Sequence, residues 1–180
     1  MMEYFNRRPA AKNFGNWPFE NVWLGVSVEN QATADERIPL LLETPAAVRW
    51  VSYEPALGPV DFKPWLWPRC RRCGGSMSIP APGGGMPCPS CLNHQGVERG
   101  IDWIVCGGES GPGARPFDLA WAHSVIEQGK AAGVPIFVKQ LGARQLLDGV
   151  PRSEAHRVKS RKGGDMAEWP PSLRVREFPR

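Results

Sequence analysis

No apolar run in the 180 residues approaches the roughly 20 that a membrane helix needs, which excludes a helical membrane-spanning protein. The first residues, MMEYFNRRPAAK, lack the apolar core and cleavage site of a secretory signal. A soluble, cytoplasmic protein is therefore the expectation, with no membrane partner. Histidine is scarce. The three present (His94, His123 and His156) fall in separate parts of the chain, and none has a Ser or Cys partner in an elbow motif, so a hydrolase triad is not indicated. Excess charge of one sign is also small, at +4. Hydrophobic residues at 42% and charged residues at 22% sit near the globular average, which excludes a mostly disordered chain.

Glycine (20) and proline (19) are plentiful, so long or numerous loops are expected. Basic residues gather in two places. Arg69, Arg71 and Arg72 surround a cysteine pair, and Arg157, Lys159, Arg161, Lys162, Arg174, Arg176 and Arg180 crowd the carboxyl terminus. Such clusters attract phosphate through counterion release. A tail that merely keeps the protein soluble is the plainer reading, because no aromatic is regularly interleaved for base stacking.

Cysteines are few, but four of the five stand as Cys70-x2-Cys73 and Cys88-x2-Cys91, with fourteen residues between the pairs. In a reducing compartment two such knuckles read as a metal site rather than as disulfides. Four thiolates complete a tetrahedron around zinc and leave no open position, so the ion would be structural. It would hold together a glycine-rich ribbon, about residues 67–100, that is too small to bury a core. A rubredoxin-like iron site uses the same ligands. His94 could substitute for one ligand, although a loop histidine is the simpler reading. Cys106, inside an apolar run, reads as a buried and inert thiol.

Four stretches read as strands: Val22–Glu29, Val48–Glu54, Ile101–Glu109 and Pro135–Gln140. Their near-continuous apolar character suits parallel strands covered on both sides. Helical patterns at Ala32–Leu42 and Asp118–Ala132 separate them, the second opening on Asp118 as N-cap and stopping at Gly133. Strand–helix–strand order predicts right-handed crossovers and a parallel sheet of the α/β class, with the ribbon replacing the crossover between the second and third strands. After Leu141 the pattern fades into a basic tail, residues 151–180.

A weak repeat runs through the first three strands: a Trp near the start and a Glu at the end, as in Trp23 to Glu29, Trp50 to Glu54 and Trp103 to Glu109. Alternation would put Ser27 with Glu29, Ser52 with Glu54, and Gly107 with Glu109 on one face. Chemistry in parallel α/β proteins gathers at the carboxyl ends of strands. Glu29, Glu54, Glu109 and Lys139 are thus candidate catalytic groups that would converge and perturb one another's pKa values. The plainer reading makes the glutamates caps bonded to backbone amides. Gly107, Gly108 and Ser110, in a glycine-rich turn, are candidate cofactor contacts. Their spacing is neither that of a P-loop nor that of a dinucleotide fingerprint.

Several blocks resemble a known family. Asn21 to Gln31 (NVWLGVSVENQ), Ser52-Tyr53-Glu54-Pro55, Gly107 to Gly111 (GGESG), Phe137 to Gly142 (FVKQLG) and Lys162 to Met166 (KGGDM) are similar to a phage and prophage family of unknown function, the gene-product-37/gene-product-68 family. The resemblance implies a radical-SAM-like barrel whose amino-terminal half carries a three-cysteine cluster motif. This chain has no such motif, and Met1–Phe14 resembles the end of a barrel helix.

The chain is therefore expected to be the carboxyl-terminal half of a β/α barrel, residues 1–66 and 101–150, with a zinc-ribbon insert at 67–100. An iron–sulfur cluster and SAM would come only with a partner half. The apolar edge of a cut barrel must be paired or covered. Self-association, or a separate amino-terminal half-barrel polypeptide, is accordingly expected. The alternatives are a zinc-ribbon nucleic-acid-binding module using Arg69, Arg71 and Arg72, and a non-catalytic remnant. The resemblance also implies the cytoplasm of a bacterial host.

Overall fold

The computed structural model describes residues 18–66, 69–70, 78–89, 97–98, 100–151 and 158–179, with the backbone alone at 69–70 and 97–98. In chain order the elements are β1 (Trp23–Ser27), α1 (Gln31–Glu43), β2 (Val48–Tyr53), the short α2 (Lys63–Leu66), β3 (Arg69–Cys70), β4 (Ser78–Ala81), β5 (Gly84–Pro87), β6 (Val97–Glu98), β7 (Trp103–Gly107), β8 (Phe117–Asp118), α3 (Leu119–Ala132), β9 (Ile136–Gln140), β10 (Gln145–Leu147) and β11 (Val150–Pro151). Two 3-10 turns, Met166–Glu168 and Pro171–Leu173, follow. The four predicted strands are present, trimmed at their ends. No helix among the described residues is long and apolar enough to cross a membrane.

The main sheet is β1-β2-β7-β9, all parallel and in chain order. Because the order never reverses, right-handed crossovers place the helices on the same side. Alternate residues Val51, Tyr53, Ile104, Cys106, Ile136 and Val138 bury against that helical layer, which contributes Ile38, Leu41, Leu119, Ala122, Val125 and Ile126 to one core. The expectation of strands covered on both sides is corrected. The opposite face carries Trp23, Trp50, Trp103 and Phe137 at the amino-terminal ends of the strands and Ser27, Ser52, Glu54 and Lys139 towards the carboxyl ends. Most of it is partly exposed among the described residues. The polar members of the alternation account for this, since burying them unpaired would be costly.

The helices begin and end where their caps dictate. Asn30 and Thr33 form a reciprocal capping box at the start of α1. Asp118 caps α3 through the Ala120 amide, and Gly133 ends that helix in the left-handed conformation at φ 69°. The Asp118 carboxylate also accepts from the Asp148 and Gly149 amides at 3.2 and 2.6 Å, which pins the β10–β11 turn to the helix start.

Between β2 and β7 the chain makes two antiparallel pairs, β3 with β6 and β4 with β5. The Ile101 amide donates to the Trp65 carbonyl at 2.9 Å, so this excursion leaves and re-enters the main body at one place.

The carboxyl-terminal residues do more than solvate the protein. Trp169 and Leu173 are buried in the core. Val175 and Glu177 exchange backbone bonds with Val138 and Ile136 at 2.9 and 3.0 Å, and Arg176 bridges antiparallel to Phe137. The β9 edge, expected to need a partner, is thus covered by the chain's own tail. Phe178 then stacks near Trp103 and Phe137, at centroid distances of 5.4 and 5.2 Å.

Candidate active site

Register decides which predicted residues meet. Ser27 lies beside Ser52, and Tyr53 beside Cys106, so Glu54 falls level with Gly107 rather than with Glu109. Glu109 stands two residues further along, beyond the end of β7. Register thus sets Glu109 further along than Glu54. Each carboxylate is bonded to a cation, and Arg115, which holds Glu109, also feels the Glu29 charge.

Glu54 is the best enclosed. Its side chain is 14% exposed and accepts from Lys139 Nζ at 3.1 Å, although a whole strand, β7, lies between β2 and β9. Two features permit the reach. Gly107 has no side chain, and a Cβ there would stand only 2.5 Å from Glu54 Oε1. The β7–β9 register also slips, from Cys106 beside Val138 to Gly107 beside Gln140, which makes Lys139 the extra residue of a bulge. Bulges of this kind re-aim a side chain. Here the ammonium crosses the glycine gap to the carboxylate.

Glu29 pairs with Arg37 of α1 at 3.2 Å, and Arg37 donates also to the Ser27 carbonyl at 2.8 Å. Glu109 is held by Arg115 through Nε at 2.8 Å, Nη2 at 3.1 Å and the backbone amide at 2.9 Å. These bonds keep the Glu109 carboxyl well below the usual range, at about 2. The shift comes from Arg115, a residue outside the carboxylates and amine that were expected to perturb one another. The Arg115 guanidinium is shifted upward, chiefly by its bonds to Glu109.

The sign of the linkage follows. A depressed carboxyl contributes stability that is present above its unfolded value, about 4.3, and is lost as the pH falls towards 2. In a ¹³C titration we expect Glu109 to have its midpoint near 2, and Arg115→Ala, which keeps the backbone amide, to raise it part of the way to its ordinary value. A midpoint that stays near 2 in the variant would show that another group holds it.

Two glycines of the Gly107–Gly111 turn pack closely within the protein, whereas Gly111, at φ 98°, faces open space. Gly107 accommodates Glu54. Gly108 is buried, and a Cβ on it would meet the Leu141 carbonyl at 2.7 Å and Phe117 Cβ at 2.9 Å. Gly142, at φ 74°, presses on the Glu109 carbonyl, and Gly163 presses on Gly142. Three of the glycine-bearing blocks thus cross one another backbone to backbone. These close approaches require glycine at 107 and 108, while Ser110 is exposed on the same loop.

Cys106 faces the helical core and is fully buried; burial first, and then the Glu54 charge, push its thiol up. Tyr53 beside it is raised too, chiefly by burial, and its hydroxyl donates to the Gly58 carbonyl. Cys88 is buried directly after β5. Cys73, Cys91, Arg71, Arg72 and His94 lie outside the described residues, as do Met1–Phe14 and the side chains of Cys70 and Arg69. No group of three metal-ligating side chains occurs among the described residues.

Arg174 and Arg176 of the basic tail bond to backbone carbonyls of the protein itself. Sequence reasoning missed Arg37, Arg115 and Arg176. Arg37 lies eight residues after Glu29 and Arg115 six after Glu109, so proximity in sequence could have suggested both; nothing local marks Arg176.

The fold and mouth define a parallel α/β protein with charged pairs at the carboxyl ends of its strands. The chain belongs to the family described as protein of unknown function (DUF5131), whose pattern matches residues 1–169. No curated protein and no solved structure matches it.

Proposed function

We propose that the chain is the carboxyl-terminal half of a radical-SAM-like β/α barrel, of phage type, with Glu54 and Lys139 as the reacting groups in its mouth. The Glu54–Lys139 contact carries this reading. An acid and an amine meet at 3.1 Å across a glycine gap, on the sheet face that the described helices leave open. Sheet order supports the reading too, because four parallel strands follow one another in chain order as barrel strands do. Glu54 Oε2 would accept a proton and Lys139 Nζ would return one, a division of labour suited to a mostly enclosed carboxylate beside an exposed amine.

The chain's own cysteines do not fit a three-cysteine cluster. Four are spent in two Cys-x2-Cys knuckles and Cys106 faces the core, so a cluster and SAM belong to a partner half. The knuckles do fit zinc. Cys70, Cys73, Cys88 and Cys91 offer four thiolates, and Cys88 is fully buried in so small a segment. Zinc there would be structural.

Native mass spectrometry of anaerobically purified protein tests the assembly. One zinc on a self-associated or partner-bound chain is the expected result; a lone compact monomer would overturn the half-barrel reading. In the reconstituted pair, Glu54→Gln and Lys139→Met should each abolish turnover with zinc and fold intact. Unchanged turnover in both would remove the assignment of the reacting groups.

A further inference from the structure

We propose that Arg176, from the carboxyl-terminal segment, is a positioning residue that aims Lys139 at Glu54. The inference rests on the reading of that pair as the reacting groups, and it gives the tail a part in the site.

Lys139 is the extra residue of the bulge, so the regular ladder does not fix its backbone. The direction of its side chain depends on φ and ψ at that residue, that is, on the two peptide planes flanking its Cα. Arg176 holds both. Its Nε donates to the Val138 carbonyl at 3.3 Å and its Nη2 to the Lys139 carbonyl at 3.1 Å. These two carbonyls bracket Lys139.

The guanidinium is itself well anchored. It packs over Phe137 and Trp169, at 5.3 and 5.4 Å from the ring centroids. Its backbone is tied to β9 on both sides, by the Val175 carbonyl to the Val138 amide and by the Glu177 amide to the Ile136 carbonyl. Two carbonyls at a fixed spacing suit a planar fork of donors. A lysine at the same place would keep the charge and the ring contact but not the fork.

The test is a spectroscopic double-mutant cycle on the full chain. Glu54→Gln displaces the Lys139 side-chain ¹⁵N resonance in the wild-type background if the pair is formed. That displacement should persist in Arg174→Ala, which removes a neighbouring tail arginine bonded, among the described residues, to the Trp169 and Ala167 carbonyls. It should be lost in Arg176→Ala and in Arg176→Lys. The same displacement in Arg176→Ala, or its full recovery in Arg176→Lys, would overturn the proposal by showing that Arg176 serves stability or stacking alone. Should the alanine variant not fold, the lysine variant decides. Turnover that ignores Glu54→Gln while the resonance coupling depends on Arg176 would remove the proposed function and leave the positioning role standing.

Discussion

Replacing Trp169 by alanine should destabilise the protein by about 3–5 kcal/mol, the range for removing a large buried aromatic. The side chain is 2% exposed although it lies in a stretch that reads as polar tail, and its indole Nε1 donates to the Gly163 carbonyl at 2.9 Å. Loss of the ring removes apolar contacts shared with the core, removes one of the two donors to that carbonyl, which still accepts from the Leu141 amide, and takes away one of the two rings beneath Arg176. For a chain of this length the unfolding midpoint should fall by about 6–20 °C.

The damage should be spatially graded. The Val138 amide, which bonds the Val175 carbonyl, should lose hydrogen-exchange protection well before amides inside β2 and β7. A midpoint within about 2 °C of wild type, less than 1 kcal/mol on the same scale, would mean that the tail is fastened mainly by its backbone bonds to β9.

That expectation marks where the sequence was readable and where it was not. The strands, α1, α3, the Asp118 cap and the Gly133 stop are local: each follows from periodicity or from one capping residue, and the structure places them close to their expected ends. The open face was also latent in the sequence. Ser27, Ser52 and Glu54 alternate with core residues, and overall apolarity masked that alternation.

Glu54 with Lys139 was foreseen only as part of a larger cluster. Its true neighbours depend on register, and a bulge between Cys106 and Gly107 cannot be read from either strand alone. Trp169 and Arg176 were illegible for a similar reason. Their partners are distant along the chain, and a polar, proline-bearing segment gives no periodic signal when it is held by a few large side chains and an antiparallel edge rather than by a helix or strand of its own.

The neighbouring glycines Gly107 and Gly108 should respond oppositely to the same methyl group. At Gly108 the added Cβ meets the Leu141 carbonyl at 2.7 Å and Gly142 Cα at 3.0 Å. Those are backbone atoms inside the crossing of three loops, and they cannot retreat without moving Gly163 as well. Gly108→Ala should therefore cost about 1–3 kcal/mol, the range for overpacking, and should loosen the junction between the mouth and the tail. At Gly107 the nearest atom is the end of a side chain, Glu54 Oε1, and the next is the Gln140 carbonyl oxygen at 3.2 Å. The carboxylate can swing aside, so Gly107→Ala should change stability by less than about 1 kcal/mol, as volume changes do where a neighbour can yield. It should nevertheless separate Glu54 from Lys139, abolishing the response of the Lys139 ¹⁵N resonance to Glu54→Gln. Chemical denaturation and that resonance, measured on both variants, separate a glycine needed for folding from one needed to seat a carboxylate. Equal destabilisation by the two would mean that Gly107 is confined by the backbone, and that the room for Glu54 is a by-product of close strand packing.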